Sequence, residues 1–524
     1  MRRRTQVLCG LGVLGFGAAA VPAVAASTGA ATYALPALAV VCAVPLLARR
    51  LPGRAVHNGA ALAVLLWALF ANTVRPDVFD NPSTTTYTVL GSMLAFASVV
   101  LISENQRILL RPLQRLGLAA RLAVAYPTAK RFRTGATLAM YSLVIFTLVL
   151  ITQINGIMSA GIDGTVRDAG GRYAVRADFA VPPPGDDPGG AIRRSAIGAD
   201  VSDATPLRTV AATSDDPGGR WTTPVPVVAI GVTTPFATDA LPLDARLPRF
   251  ADDAEAWRAV LHDDSLVFVD TTFGATGGPL ADAFSPGDTV TITDPRTGAA
   301  VPRTIAGVLR NGLGFTGMAA SYRYPVFVAD SALRAQFGST ATMSSALLVL
   351  REGVDPEVFA SRLQATLIAS GVCATAIEHS VRRAFAANRN FFRLMQGFLA
   401  LGLVVGITGL GVVMVRAVRE RRRTIGVLRA LGFGARTVRR SFLAESALVA
   451  AEGIVSGAAL SVVTSYLLFT NSPAFGALSG PFPIAWLPIA GIVGVTFAAS
   501  LLATLAPANR AAAIRPALAL RISD

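Results

Sequence analysis

Lysine occurs once in this chain, at position 130, and carboxylates are scarce, with 32 Asp and Glu among 524 residues. Charged residues make up 15% of the sequence, against about a quarter in soluble domains. A nucleotide-binding P-loop needs a Lys at the end of a glycine-rich turn, and Lys130 stands in Tyr126-Pro127-Thr128-Ala129-Lys130-Arg131, which has no glycine. The chain has no P-loop, which excludes ATP hydrolysis by these residues alone. Cys9 and Cys42 lie in apolar runs, so Cys373 is the single thiol of the long polar segment and a disulfide framework there is excluded. His57, His262 and His379 are scattered without ligand spacing. No nucleophile, base or metal cluster emerges, so neither a catalytic residue nor a metal or cofactor is expected on this chain.

What the chain has in excess is apolar surface and arginine. Hydrophobic residues make up 52%, and the mean hydropathy is +0.53. The formal net charge is +15. Between positions 161 and 390 there are 20 Arg against 25 Asp and Glu, while the remaining 27 basic residues meet only 7 acidic ones. That excess sits in short stretches between apolar runs with few aromatics interleaved, a pattern set by membrane topology and not by nucleic acid.

A spanning helix needs about 20 mainly apolar residues to cross about 30 Å of hydrocarbon. Eight runs meet or approach this, at 7–26, 33–48, 60–74, 87–102, 138–158, 392–415, 442–469 and 484–506. The third is the weakest, cut short by Arg75. With the N-terminus inside, the arginines at 2–4, 49–54, 107–133, 416–440 and 510–521 all fall in the cytoplasm, and the opposite short loops carry only Arg75. The expected protein is a polytopic α-helical membrane protein of about eight transmembrane helices, in the cell membrane. Both termini are expected in the cytoplasm, and residues 161–390 outside it. Met1-Arg2-Arg3-Arg4, the first apolar run and Ala23-Val24-Ala25 also fit a secretory signal peptide, although the run is long for one. Its removal would leave every later orientation unchanged.

Residues 161–390 read as a large α+β extracytoplasmic domain. Short β-branched runs at 225–232, 266–270, 289–292 and 346–350 are strands, and Asp294-Pro295-Arg296-Thr297-Gly298 is a hairpin turn. Asp355 caps a helix that begins at Pro356 and carries Phe359, Leu363 and Leu367, followed by a strand at 373–377. The stretch 173–209 forms a matching strand-helix-strand unit, with a β-rich segment inserted between the two. Residues 185–190 read as a mobile loop and not as a metal site.

The sharpest pattern follows the sixth run: Arg421-Arg422-Arg423-Thr424-Ile425-Gly426-Val427-Leu428-Arg429-Ala430-Leu431-Gly432. Ile425, Leu428, Leu431 and Val438 recur at helical spacing between arginines, predicting an amphipathic helix at the membrane surface that binds anionic lipid or a partner protein and breaks near Gly432. Gly402 and Gly406, and Gly453 and Gly457, are spaced for close helix packing. Glu445 and Glu452 share a helix face in the seventh run. Glu445 is expected to pair with Arg439 or Arg440, and Glu452 to face protein or water, with a transport or gating role.

Ile425-Gly426, the Leu428-Arg429-Ala430-Leu431-Gly432 segment and Glu445 resemble the FtsX-like, MacB-like family of ABC transporter permeases. Thr424 departs from the Glu that the family often has before the Ile-Gly pair. The basic lead-in of 126–146 and the tail with Arg515-Pro516-Ala517 extend the likeness over 121–524. The resemblance implies four divisions. Residues 1–105 hold four helices like the latter part of a preceding permease half, and 106–160 a basic lead-in with helix five. Residues 161–390 form the outer domain, and 391–524 the permease domain with its coupling helix. It further implies a partner ATP-binding subunit, dimeric and carrying ATP and Mg, that contacts Arg421, Arg422, Arg423, Ile425, Gly426, Leu428, Arg429, Leu431 and Gly432. A second permease half or a homodimer partner, and membrane lipid, complete the expected assembly. Two functions remain open: export or release of a lipid, lipoprotein, peptide or drug, and mechanotransmission to an extracytoplasmic protein.

Overall fold

The computed structural model describes residues 3–25, 30–74, 84–111, 123–124, 131–217, 223–239, 241–271, 273, 284–312, 315, 324–471 and 481–514. The lead-in at 126–130 and the tail Arg515-Pro516-Ala517 lie outside them. The chain divides into two compact units, one of residues 1–157, 390–472 and 482–524, the other of 158–389 and 473–481.

Among the described residues, eight helices are long and apolar enough to cross a membrane. Numbered in chain order, they are α1 (Arg3–Ala25), α2 (Ala30–Leu47), α3 (Gly53–Val74), α4 (Thr84–Leu109), α5 (Arg131–Gly170), α11 (Ile377–Glu420), α13 (Ala435–Asn471) and α14 (Trp486–Ala512). Each of the eight expected runs falls on one of them. Helix α3 starts well before the expected run because its polar first turns have partners on α4. Arg54 donates to the Glu104 carbonyl at 2.8 Å, and Asn58 and Asn105 exchange amide hydrogen bonds at 2.8 and 3.2 Å. Hydropathy discounts such residues, whereas the helix retains them. In α2, Pro36 has no N–H for the carbonyl one turn back, and the Trp67 indole of α3 donates to that Thr32 oxygen at 3.2 Å.

In the other unit, β1 (Val175–Phe179), α6 (Pro188–Arg193) and β2 (Val201–Asp215) form one strand-helix-strand piece. A second is built from β9 (Met343–Leu350), α10 (Pro356–Thr366) and β10 (Val372–Ala376). Their strands interleave as β10-β1-β9-β2 with antiparallel neighbours, the split β-α-β arrangement of ferredoxin-like domains. Phe179, Ile192, Phe359 and Leu363 fill the core beneath α6 and α10. Asp355 accepts from the Glu357 and Val358 amides at 2.9 Å, so α10 is capped as its sequence predicts.

Residues 185–190 are not the expected mobile loop. Asp187 caps α6 by accepting from the Gly190 amide at 2.7 Å, and Asp186 accepts from the Met343 amide at 2.7 Å. The Pro, Gly and Asp content that suggested mobility instead supplies a helix start.

The inserted segment extends the same sheet with β3 (Val225–Val232), β4 (Leu243–Arg246), β5 (Leu266–Asp270), β6 (Thr289–Thr293), β7 (Ala300–Leu309) and β8 (Tyr324–Ala329), and adds α7 (Thr234–Thr238), α8 (Asp253–His262) and α9 (Asp330–Phe337). The expected hairpin joins β6 to β7, with Gly298 at φ +74 inside its turn. Strand β2 serves both parts: its first half pairs with β9 and its second with β3. Arg208 sits at the register shift between the two halves, where its guanidinium meets the Asp330 carboxylate at 2.9 Å, their side chains 8% and 11% exposed.

One face of the enlarged sheet buries Phe236, Trp257, Phe268 and Phe327 together with Ala169 of α5 and Ile377 and Val381 of α11. Just past α5, the Tyr173 hydroxyl donates to Asp239, and burial together with that carboxylate pushes it up to about 12. It therefore stays a neutral donor at any physiological pH.

Two substitutions should separate local from long-range anchoring. Asp355→Ala removes one cap and should cost about 1 kcal/mol, confined to α10. Asp330→Ala takes from the buried Arg208 its nearest carboxylate and leaves it Asp186 at 3.5 Å, so it should cost about 3 kcal/mol, the low end for a broken buried pair, and lower amide protection across β2, β3 and β8 in hydrogen exchange of the full chain.

Candidate functional site

Helix α11 ends at Glu420. Arg421 leaves the helical region at φ −102, ψ 9, and α12 (Arg422–Ala430) begins directly after it. Beyond α12, Gly432 adopts φ +92, a conformation that any side chain would strain, and α13 starts at Ala435. Two breaks thus bracket a short basic helix between two long apolar ones. Ile425 packs with Met414, Ala417 and Val418 of α11, Val438 and Phe442 of α13, and Ala508 and Ala511 of α14.

The face that packs inward is narrower than the spacing predicts. Ile425, Gly426 and Val438 are buried and Leu428 and Arg429 half-buried, but Leu431 is 72% exposed and points out with Val427. Because α12 closes at Ala430, the helical period does not reach Leu431, which belongs to the turn with the exposed Gly432. Arg422 and Arg423 are exposed as well.

Arg421 differs from its neighbours in the arginine run. Its Nη1 and Nη2 donate to the two carboxylate oxygens of Glu445 at 2.9 and 2.7 Å, and its guanidinium lies 5.3 Å from the centre of the Phe442 ring. This corrects the expected pairing of Glu445 with Arg439 or Arg440. Both of those fall outside the three- and four-residue spacing that brings side chains together on one helix, and both are exposed.

The glycines divide in the same way. A Cβ on Gly453 would stand 2.7 Å from the Tyr141 Cβ, and one on Gly457 2.5 Å from the Ser142 carbonyl, so α13 meets α5 backbone to backbone. A Cβ on Gly402 would meet nothing within 4 Å, so within this chain it packs on no neighbouring helix, and the nearest atoms to one on Gly406 belong to the flexible end of Met140, at 3.3 Å. Glu452 faces protein: Gln106 of α4, itself buried, donates to it at 3.0 Å. Gln106 is a partner that the sequence conceals, since it stands among Ser, Glu, Asn and Arg and reads as a solvated helix end. Tyr141, Ser446, Ser500 and Thr504 form a further buried set across α5, α13 and α14, with Tyr141 to Ser500 at 2.9 Å and Ser446 to Thr504 at 3.0 Å. Scattered hydroxyls in apolar runs gave no signal of it.

Residues 397–516, which include α12, α13 and α14, match the FtsX-like permease C-terminal family. The match is to that C-terminal family region alone and covers less than a quarter of the chain. Over 127 residues it is 33% identical to the macrolide export ATP-binding/permease protein MacB of Marinobacter nauticus, covering 24% of this chain and 19% of that protein. Over 143 residues it is 32% identical to the pyoverdine export ATP-binding/permease protein PvdT of Pseudomonas fluorescens, covering 26% and 20%. The chain thus spans about a fifth of the length of these curated relatives. Among solved structures, the periplasmic region of MacB from Actinobacillus actinomycetemcomitans aligns at 12% identity with a TM-score of 0.24, over 43% of this chain and 97% of that one.

Within the matched region Gly457 and Gly402 give opposite expectations. Gly457→Leu drives a side chain into the α5 backbone and should cost about 1–3 kcal/mol. Gly402→Leu should stay within about 0.5 kcal/mol of the parent, both read by thermal unfolding of the purified chain.

Proposed function

We propose that this chain is the permease subunit of an ABC transporter, coupling ATP hydrolysis on a separate ATP-binding subunit to export or extracytoplasmic release of a substrate. The observation that carries this reading is α12 with the turn that follows it, a short basic segment seated by Ile425 and Gly426 in the region that matches the FtsX-like family, with Arg422, Arg423 and Val427 of the helix and Leu431 of the turn facing outward. Two cations and two aliphatic side chains turned outward suit an anionic lipid surface or a protein groove, and the match of this region to the FtsX-like family favours the protein. In this reading ATP and Mg belong to the partner, both termini and α12 lie in the cytoplasm, and 161–390 lie outside. The relatives named as export proteins support export as the process, and the cargo stays open among lipid, lipoprotein, peptide and drug.

A second reading, mechanotransmission to an extracytoplasmic protein, draws on a different observation. Ala169, Ile377 and Val381, at the ends of α5 and α11, belong to the core of the outer domain, so a displacement of either helix end is a displacement of that core. A substrate-stimulated ATPase in reconstituted vesicles favours export, whereas stimulation only by an extracytoplasmic protein favours transmission.

Purification of the tagged chain from its native membrane in mild detergent should recover a P-loop ATPase in near-equal amount. Leu431→Asp should abolish that recovery, by a factor of about ten or more, without loss of membrane insertion. Recovery of the parent chain without any ATPase overturns the proposal.

A further inference from the structure

Helix α12 has few anchors of its own. On one side it is joined to α11 through a single non-helical residue, Arg421, and on the other to α13 through a turn that holds Gly432 at φ +92 and Gly434. Of its nine residues only Ile425 and Gly426 are buried. Neither connection is stiff in the way a continuous helix is, so a force on α12 would be absorbed in the two breaks unless something else ties it down. Among the described residues, besides the packing of Ile425, a polar tie is made by Arg421 with Glu445. It spans from the residue preceding α12 to the interior of α13, with side chains 19% and 6% exposed.

We propose that the Arg421–Glu445 pair is the strut that fixes the pose of α12 on the permease domain and carries displacement of α12 into α13, which makes Arg421 and Glu445 positioning residues. The inference rests on the coupling role proposed above for its final step only. The chemistry of the pair suits the task. Two parallel N–H···O bonds fix the guanidinium plane in direction as well as distance, which a single ammonium cannot do. The Phe442 ring, one turn before Glu445, holds that plane from the side. Arg419, Arg422, Arg423, Arg436, Arg439 and Arg440 are all exposed, so Arg421 is withdrawn from the surface that the rest of the run presents.

The test uses the full chain in lipid nanodiscs, first alone and then with its co-purified ATPase. For the chain alone, Arg421→Glu and Glu445→Arg should each speed amide exchange over 422–430 on the order of a hundredfold, and Arg421→Lys should give a smaller rise. The double swap should recover most of the protection. Unchanged exchange at β6 and β7 marks a folded variant, and if either single reversal fails that check, Arg421→Lys against the parent carries the comparison. With the ATPase present, Arg421→Lys should retain it while losing its stimulation, a split that a loss of fold would not produce. Single variants with parental exchange over 422–430, or a double swap no better than the singles, overturn the strut. Exchange that responds as expected in a chain that recruits no ATPase leaves the strut standing and removes the transporter reading instead.

Discussion

Hydrocarbon offers no hydrogen bonds, and the membrane unit is organised by that constraint. Backbone groups freed inside it must find partners from neighbouring helices, as the Thr32 carbonyl left by Pro36 finds the Trp67 indole. The start of α14 shows the same economy. Gln153 of α5 is fully buried and accepts from the Ala485 amide at 2.7 Å while its own amide meets the Pro483 carbonyl at 3.5 Å, so one side chain from α5 ties down the start of α14. Polar residues in the spans are therefore the joints of the bundle. Tyr141 with Ser500, Ser446 with Thr504 and Gln106 with Glu452 each tie a different pair of helices.

This explains which parts of the structure the sequence made legible. Run length and arginine placement report on a solvent that treats every residue alike, so the eight helices emerge without any tertiary information. Turn chemistry is local too, and Asp355-Pro356 and the Asp294 to Gly298 turn fold as they read. Glu445 was misassigned because its partner comes from another helix: sequence neighbours offered Arg439 and Arg440, whereas the fold delivers Arg421 across a turn. Gly402 and Gly457 have the same local context, and only the identity of the facing helix separates the open site from the backbone contact.

The outer domain shows a comparable division between local pattern and global outcome. Its two strand-helix-strand pieces are separated in sequence by the whole inserted segment, yet β1 lies between β9 and β10, and β9 between β1 and β2. The insertion does not hang from this arrangement as a separate body, because β2 runs on past the register shift at Arg208 into the second half of the sheet. A buried Arg–Asp pair at that junction is a costly way to gain stability compared with an apolar contact of the same size. It is well suited to fixing register, where a one-residue slip would turn the apolar side of β2 outward.

Arginine does two unlike jobs within a few residues of α12. At the surface it keeps most of its hydration, which suits both membrane orientation and contact with a partner. At position 421 it is stripped of most water and held on both oxygens of Glu445, where the Coulomb attraction is strong because the surroundings are poor in water. An acidic residue in the seventh span would be expensive without that guanidinium, and the guanidinium would be equally expensive without the carboxylate. Each charge is tolerable only in the presence of the other, so the pair constrains where α12 can sit far more tightly than the few apolar contacts of a nine-residue helix do.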